Sequence, residues 1–361
     1  MTNFSINGSG RIGRCTTRVW LANHLDDSNL TAINTSGSLN VSGWAHLLKY
    51  DTSYGPLPFD IASEEIQKPD QVTDGNPLLG YLIIKHPKKE IKIPVLAQRD
   101  PSHIPWDKFG TEIVIESTGA FTSLDKAILH ICGGVKMVVL SAPAKGAGVP
   151  TAVIGVNDRE IFSKERLNVI SVISNASCTT NSVAPVADIL HDKLGILKAM
   201  LTTVHGYTDD QNLQDNSHRD MRRARAAAAN IVPTSTGAAI AATQAIPELK
   251  GLFDGISLRV PVLTGSITDF TFITQRSTSI EEVNQIFIDA TNNSRYKGIL
   301  ATTSEPLVSS DILGRSESSI VDLDMTRVVD GTMVKVLAWY DNEWGYANRL
   351  IEEVIKTGEL Y

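Results

Sequence analysis

Apolar positions follow two rhythms along this chain, and the change between them marks its architecture. Up to about Pro150, short apolar runs alternate with stretches in which apolar residues return every three or four positions. Phe4-Ser5-Ile6-Asn7 predicts a short strand, and Arg11 to His24 a helix behind it. Leu30–Asn34, Glu112–Glu116 and Val135–Leu140 predict further strands, and Val41–Lys49 and Leu124–Ile131 further helices. Such alternation implies a parallel sheet with helices on both faces. Between Gly55 and Arg99 the rhythm fails. Seven prolines or glycines fall between Gly55 and Gly80, and a basic run follows over Lys85–Lys92. That stretch predicts loops and antiparallel strands, with the charge run as a solvated face.

The second rhythm begins near Cys178. Leu167–Ile173 alternates and predicts a strand, Val183 to Leu194 a helix, and Leu201–His205 another strand. Gly255–Pro261, Ser266–Gln275 and Thr332–Tyr340 predict longer strands of an antiparallel or mixed sheet, with an Ala-rich helix from Gly237 between His205 and Leu258. Trp344 to Lys356 is amphipathic, with Leu350, Ile351, Val354 and Ile355 on one side of a helix. The fold class is therefore α/β: a doubly wound parallel sheet plus an α+β region with a mixed, largely antiparallel sheet. At 361 residues the chain exceeds one ordinary core, and two domains are expected.

Composition narrows the setting. Hydrophobic content of 42% and charge of 20% are those of a globular protein. A net charge of −7 gives no bulk attraction for nucleic acid or an anionic membrane, so neither is expected as a partner. The three cysteines, Cys15, Cys132 and Cys178, are too few for a disulfide framework and are not spaced as metal ligands. No apolar run approaches the ~18 residues of a membrane span. The chain opens without the basic and apolar regions of a secretory leader. These features predict a cytoplasmic protein without metal.

Gly8-Ser9-Gly10-Arg11-Ile12-Gly13 fits G-x-G-x-x-G, after a predicted strand and at the start of a predicted helix. In that setting the glycines permit a tight turn and let a pyrophosphate approach the helix N-terminus, as in Rossmann-type folds. A plain glycine-rich surface turn is the alternative. The acid expected at the end of the second strand, which would accept hydrogen bonds from the adenosine ribose, is absent: Ile33-Asn34 leads to Thr35-Ser36-Gly37-Ser38. Hydroxyls there tolerate a 2′-phosphate that a carboxylate would repel. No arginine or lysine between Asn34 and Trp44 neutralises one.

Cys178 lies in the run Ser174-Asn175-Ala176-Ser177-Cys178-Thr179-Thr180-Asn181, at a strand-to-helix turn. Unpaired N–H groups of a first helical turn favour its thiolate. His205 ends the next strand-like run and comes within reach if the two elements pack side by side. A thiol beside an imidazole is a nucleophile with its base. By residue type alone a buried, inert cysteine fits as well, but the hydroxyl- and amide-rich turn argues against an apolar core.

Together these pieces closely resemble the phosphorylating glyceraldehyde-3-phosphate dehydrogenases. The resemblance runs from Ile6-Asn7-Gly8 through Lys49-Tyr50-Asp51, Arg99-Asp100-Pro101, Glu116-Ser117-Thr118-Gly119 and Ser141-Ala142-Pro143. It continues through Ser174–Asn181, Thr203-Val204-His205-Gly206-Tyr207-Thr208, Arg222–Ala226, Pro233–Gly237 and Leu258–Pro261, and closes with Trp339–Tyr346. It implies a dinucleotide-binding domain over 1–177, a catalytic domain over 178–340, and a C-terminal helix over 341–361 that returns to the first domain. It also implies that Cys178 attacks the aldehyde, that His205 supports the thiolate as an ion-pair partner and takes the hydroxyl proton, and that inorganic phosphate releases the thioester. Ser177, Thr179, Thr208, Arg223, Thr236, Gly237 and Arg259 correspond to phosphate-binding positions. Gly8, Gly10, Arg11, Ile12, Gly13, Thr35, Arg99, Thr118, Ser141 and Asn342 correspond to cofactor contacts, with Asn342 on the nicotinamide amide. Arg222–Arg225 otherwise reads as an exposed face, whereas Arg259 lies in an apolar strand, where a guanidinium needs an anion.

The resemblance further implies a homotetramer, with Thr208 to Arg222 as an interface loop. The remaining histidines, among them His24, His130 and His218, have no motif context and are expected to be surface or structural. Five departures stand out, among them a loop between the second strand and Lys49 that is about two residues longer than usual, so a reshaped adenosine pocket is expected. Ser182 replaces a second cysteine, and Gly206 replaces an alanine, which predicts a looser turn. The Gly55–Arg99 excursion is longer than usual. Asn216-Ser217 replaces an apolar pair, as in relatives that accept NADP. With Thr35 at the ribose position, dual use of NAD and NADP is expected. The alternatives are an erythrose-4-phosphate dehydrogenase and a non-catalytic NAD(P)-binding regulatory protein. Intact Cys178, His205, Arg223 and Arg259 speak against the latter.

Overall fold

A computed structural model describes residues 1–361 as two compact units, each with its own sheet. The first comprises Met1–Ala152, Arg159–Ala176 and Ala347–Tyr361, and the second Val153–Asp158 and Ser177–Tyr346. No helix is long and apolar enough to cross a membrane.

The first unit is built on β1 (Thr2–Asn7), β2 (Ser28–Thr35), β3 (Asp60–Glu65), β4 (Leu78–His86), β5 (Lys89–Ala97), β6 (Ile113–Glu116), β7 (Met137–Leu140) and β8 (Val172–Ser174). They lie in the order β3-β4-β5-β2-β1-β6-β7-β8. From β5 to β8 every pairing is parallel, while β3–β4 and β4–β5 are antiparallel. Helices α1 (Arg11–Asn23) and α2 (Val41–Lys49) follow β1 and β2. All four residues of β6 and of β7 are buried, as expected of strands covered on both faces. The Gly55–Arg99 excursion is therefore a meander that extends the same sheet.

Two sequence expectations fail here for local reasons. The helix expected over Leu124–Ile131 is a single turn, α3 (Leu124–Ala127), continued by a 3-10 turn at Ile128–His130. The strand expected over Leu167–Ile173 is shorter and later. A helical turn at Asp158–Ile161 (α4) and another at Lys164–Leu167 (α5) come first, the latter capped by Ser163, and only Val172–Ser174 pairs with β7. Val169 is exposed, so the alternation around it does not mark a buried face.

The second unit begins with α6 (Cys178–Leu194), which starts five residues before the predicted helix. Its sheet has the order β10-β11-β9-β12-β15-β14-β13, from β9 (Ile196–Gly206), β10 (Val232–Ser235), β11 (Phe253–Val260), β12 (Ser266–Thr274), β13 (Leu300–Thr303), β14 (Ser319–Val329) and β15 (Met333–Tyr340). It is mixed: β11 runs parallel to β9 and β13 to β14, with the other pairings antiparallel. Helices α7 (Ala238–Ala245) and α8 (Ile280–Thr291) belong to this unit, and α9 (Trp344–Gly358) ends the chain.

Candidate active site and dinucleotide turn

In the first unit, the three glycines of the turn after β1 are required for three different reasons. Gly8 has φ +106° and packs on the backbone of Ser117 and Thr118, 2.8 Å from where a Cβ would stand. A Cβ on Gly13 would lie 1.9 Å from the Gly8 carbonyl oxygen, so no side chain fits between turn and helix. Gly10 has no protein atom within 4 Å of its Cβ position. It caps α1 without a side-chain hydrogen bond, leaving the first N–H groups of the helix for an outside acceptor. Open ground above a helix N-terminus fits a pyrophosphate. Ile12 lies in that first turn, whereas the Arg11 guanidinium is tied to Asp51.

The groups around this turn differ in availability. Thr118 is exposed, and its hydroxyl donates to Glu116. Glu116 is buried and also meets His130 Nε2 at 3.0 Å and Asn7 Nδ2 at 2.5 Å. Ser141 is half-buried at the end of β7. Thr35 departs from expectation. It is only 3% exposed, and its hydroxyl donates to the Leu96 carbonyl at 2.9 Å and accepts from Gly37 N–H at 3.2 Å. Its proton is already committed, so it is not a free donor to a 2′-phosphate. Ser36 and Ser38, one or three residues on and bonded to each other at 3.0 Å, carry the remaining hydroxyls. Parallel pairing of Thr35 with Ala97 puts Arg99, which is exposed, just beyond the same end of the sheet.

In the second unit, α6 opens at the nucleophile. Ser177 is its N-cap and accepts the Thr180 N–H at 3.0 Å, so Cys178 is the first helical residue. The preceding Ala176 has φ +51°, an uncommon conformation for a residue with a Cβ, and it sharpens the turn. Cys178 Sγ lies 3.4 Å from His205 Nε2. His205 sits near the end of β9, and parallel register pairs it with Arg259 of β11. That pairing brings Arg259 NH1 to 2.8 Å from His205 Nδ1 and 3.2 Å from the Gly206 carbonyl. His205 Nδ1 also lies 2.6 Å from that carbonyl. A proton on Nδ1, donated to Gly206, leaves Nε2 as the acceptor facing the thiol.

Electrostatics changes the expected charge state. Burial lifts the Cys178 thiol above its ordinary value of 9.0, and the Arg259 cation only partly offsets this. Burial also lowers His205 to about 3, with Arg259 pushing the same way against the Gly206 carbonyl and Asp210. Both shifts run against the ion pair that the resemblance implies and toward a neutral thiol beside a neutral imidazole. Desolvation outweighs the helix terminus.

The neighbouring residues vary in how far they join this cluster. Thr179 Oγ1 lies 4.0 Å from Cys178 Sγ and 3.0 Å from the Tyr340 hydroxyl, which also meets Thr203 Oγ1 at 2.8 Å. Tyr340, 1% exposed, was not singled out by the sequence, although its place on the buried face of β15 with Val334, Val336 and Ala338 is a readable signal. Asn342 Oδ1 accepts from Thr264 Oγ1, Gly265 N–H and Ser266 Oγ at 3.1, 3.0 and 2.8 Å. Its Nδ2 takes no part in those bonds. Thr236 and Gly237 stand before α7, where Thr236 Oγ1 accepts the Ala238 N–H. Arg223 and Thr208 are joined through Asp210, a residue the sequence reading passed over. A Cβ on Gly206 would press on the Val262 and Leu263 carbonyl oxygens at 3.0 and 3.1 Å, so the turn is crowded there, not loosened. Ser182 is buried, with its hydroxyl 3.4 Å from Ser319 Oγ.

A glycine turn open to a dinucleotide, in a chain that also sets a thiol against its base, is the mark of the cysteine-dependent NAD dehydrogenases. Comparison with known proteins narrows that class. Residues 2–124 match the NAD binding domain of glyceraldehyde 3-phosphate dehydrogenase, and residues 177–342 match its C-terminal domain. Glyceraldehyde-3-phosphate dehydrogenase 2 of Streptomyces arenae is 48% identical over 347 residues, 96% of either chain. Glyceraldehyde-3-phosphate dehydrogenase 1 of Streptomyces avermitilis is 46% identical over 354 residues, and the Mycobacterium leprae glyceraldehyde-3-phosphate dehydrogenase 46% identical over 358, each covering 98% of both chains. The chain belongs to the glyceraldehyde 3-phosphate dehydrogenase family and carries that family's NAD binding domain.

Proposed function

We propose that this chain oxidises D-glyceraldehyde 3-phosphate to 1,3-bisphosphoglycerate, with inorganic phosphate as second substrate, through a thioester on Cys178. The observation that carries this reading is the approach of Cys178 Sγ to His205 Nε2 at 3.4 Å, with Arg259 against the far side of the imidazole. As the sulfur attacks the aldehyde carbon, Nε2 takes the thiol proton in a general-base step. The proton passes to the new alkoxide, giving a thiohemiacetal. When the hydroxyl proton returns to Nε2, the carbon gives up hydride and becomes the thioester carbonyl. The bound nicotinamide supplies the hydride acceptor. Phosphate oxygen then attacks the thioester, and the sulfur leaves as thiolate and regains its proton from His205. Arg259 and Arg223 supply fixed positive forks for the two phosphates, and Ser177, Thr179, Thr208, Thr236 and the Gly237 N–H supply neutral donors. Asn342, with its Oδ1 saturated, would offer Nδ2 to the amide of a bound nicotinamide.

Cofactor reduction measured with glyceraldehyde 3-phosphate and erythrose 4-phosphate, with and without inorganic phosphate, tests this reading. Dependence on phosphate together with preference for the triose is expected. Equal turnover of both aldehydes would favour the erythrose enzyme, and no turnover a regulatory role.

The same chain is proposed to accept both NAD and NADP, with catalytic efficiencies within about tenfold, or ~1.4 kcal/mol. Support comes from the absence of an acid at the end of β2 and from the nearby exposed Arg99, Ser36 and Ser38. A preference for NAD above about a hundredfold (~2.7 kcal/mol) would defeat it. A homotetramer is proposed as well. Leu213 and Met221, within the Thr208 to Arg222 loop, leave large apolar side chains in solvent, as do Met200, Ile256 and Met333 on the sheet. Apolar surface on this scale fits burial against further copies. A fully active species of 39.2 kDa in light scattering would contradict it.

A further inference from the structure

A row of buried polar side chains crosses the carboxyl ends of the first unit's parallel strands, and no step of the proposed reaction uses it. Parallel register sets Glu116 of β6 beside Asn7 of β1, and Asn7 beside Asn34 of β2. Asn34 meets the main chain of Gln98, the residue after β5. Its Oδ1 accepts the Gln98 N–H at 2.9 Å, and its Nδ2 donates to the Gln98 carbonyl at 2.7 Å. A backbone N–H and carbonyl cannot exchange roles, so this end fixes the orientation of each amide in the row. Asn34 Nδ2 also donates to Asn7 Oδ1 at 2.7 Å, which leaves Asn7 Nδ2 to donate to Glu116 Oε2 at 2.5 Å. From the other side, the donor-only Trp106 Nε1 meets His130 Nδ1 at 3.3 Å. The His130 proton therefore sits on Nε2 and is given to the same Oε2, at 3.0 Å. The remaining oxygen, Oε1, accepts the Thr118 N–H at 2.8 Å and the Thr118 hydroxyl. Donors converge on Glu116 from both sides, and only a carboxylate accepts with both atoms.

The row borders the glycine turn on both sides. Gly8 N–H donates to the Asn34 carbonyl at 2.9 Å, and the Gly8 carbonyl accepts from Ser117 Oγ at 2.7 Å. Gly8 also packs directly on the backbone of Ser117 and Thr118, the two residues that follow Glu116. A negative charge beside a turn that offers N–H groups to an anion adds nothing to anion binding, so the use of Glu116 lies in the donors it gathers. We propose that Glu116 is a positioning residue for NAD. As the acceptor that ends a row of fixed polarity, it holds the Ser117–Thr118 segment against Gly8 and so keeps the N-terminus of α1 aimed at the pyrophosphate. The proposal rests on NAD binding at the glycine turn and is independent of the phosphorylating chemistry.

Glu116→Gln tests this in the full chain, because the amide oxygen still accepts from Thr118 while its NH2 group faces the donors of Asn7 and His130. Well below the melting temperature, the Kd for NAD should rise at least about fivefold, the scale of a lost hydrogen bond to a charged group. The KM for NAD should rise with it. The KM for glyceraldehyde 3-phosphate and the alkylation rate of Cys178 without NAD should stay as in wild type. A smaller rise in Kd, or an equal loss for NAD and aldehyde, would overturn the proposal. A rescue separates positioning from bulk stability. Adding Asn7→Asp moves the acid one strand over, where its oxygens face Asn34 Nδ2, the Gln amide and His130 Nε2, which lies 3.3 Å from the present Asn7 Nδ2. The double variant should bind NAD within about twofold of wild type, a coupling that independent sites do not show. A double variant that keeps the weakened Kd of Glu116→Gln would refute the fixed polarity. Should Glu116→Gln fail to fold, recovery of both folding and NAD binding in the double variant supports the role, and recovery of folding alone overturns it. Wild-type protein that bound no NAD would remove the premise, a result distinct from any difference among the variants.

Discussion

The two units build their candidate sites from different material. In the first, Gly8, Gly10 and Gly13 matter for what they lack, and the groups on offer are main-chain N–H bonds at the start of α1. In the second, the candidate chemical groups are side chains carried by α6, β9 and β11. A backbone site is specified by local spacing and survives wide variation in neighbouring side chains. A side-chain site depends on register: Arg259 stands 54 residues after His205, yet parallel pairing of β9 with β11 puts them side by side. A slip of one residue would turn Arg259 to the opposite face of the sheet.

The comparison breaks most sharply at the sulfur. Cys178→Ser should abolish turnover while NAD binding, measured by titration, stays intact, because neither the helix terminus nor His205 ionises a hydroxyl enough. Detectable turnover near the wild-type rate would refute the mechanism. His205→Asn should slow the reaction roughly 10²–10⁴-fold, the range for a lost general base. On the backbone side, Gly13→Ala should lower both thermal stability and NAD affinity, since overpacking of this kind costs about 1–3 kcal/mol. Gly10→Ala, with open space around its Cβ, should leave the melting temperature alone and weaken NAD binding only. Equal NAD affinity in Gly10→Ala and wild type would show that the turn holds no pyrophosphate.

A subtler test concerns the protonation of the pair. With the thiol lifted above 9.0, its thiolate fraction grows with pH up to and beyond that value. Iodoacetamide alkylation of Cys178 should therefore climb about tenfold per unit between about pH 7 and 9. A plateau reached below about pH 7 would indicate a stable ion pair with His205. The smallest effect is expected at Thr35→Asp, which should move the NAD-to-NADP efficiency ratio toward NAD by about tenfold, ~1.4 kcal/mol, by adding both an acceptor and a repulsive charge. An unchanged ratio would place the determinant at Ser36, Ser38 or Arg99.

What the sequence disclosed follows the same division. The glycine spacing and the alternation of strands and helices gave the parallel sheet directly, because both depend on neighbours along the chain. Cys178 and His205 were legible through their motif. The push of burial on both groups toward their neutral forms was not, since burial is a property of the packed site. The commitment of the Thr35 hydroxyl to Leu96 was hidden for a related reason: it needs β5 beside β2, a pairing 61 residues apart. Val169 misled because alternation resembles a strand whether or not one face is buried. Asp210 escaped notice because an acid two residues after Thr208 looks like solvent-facing charge until its contacts to Thr208 and Arg223 are seen.

The meander at Gly55–Arg99 bears on self-association. Strand β4, Leu78–His86, is rich in Leu and Ile and would offer a long, sticky edge were it the last of its sheet. The acidic β3 covers it. Gly80 permits the approach, for a Cβ there would lie 2.0 Å from the Glu64 carbonyl oxygen. The edge that remains is six residues long, carries Asp60, Glu64 and Glu65, and has Lys92 drawn to Glu64 at 2.6 Å. Short and charged, it is a poor template for a strand from another molecule, and the added segment thereby shields the sheet from edge-to-edge aggregation.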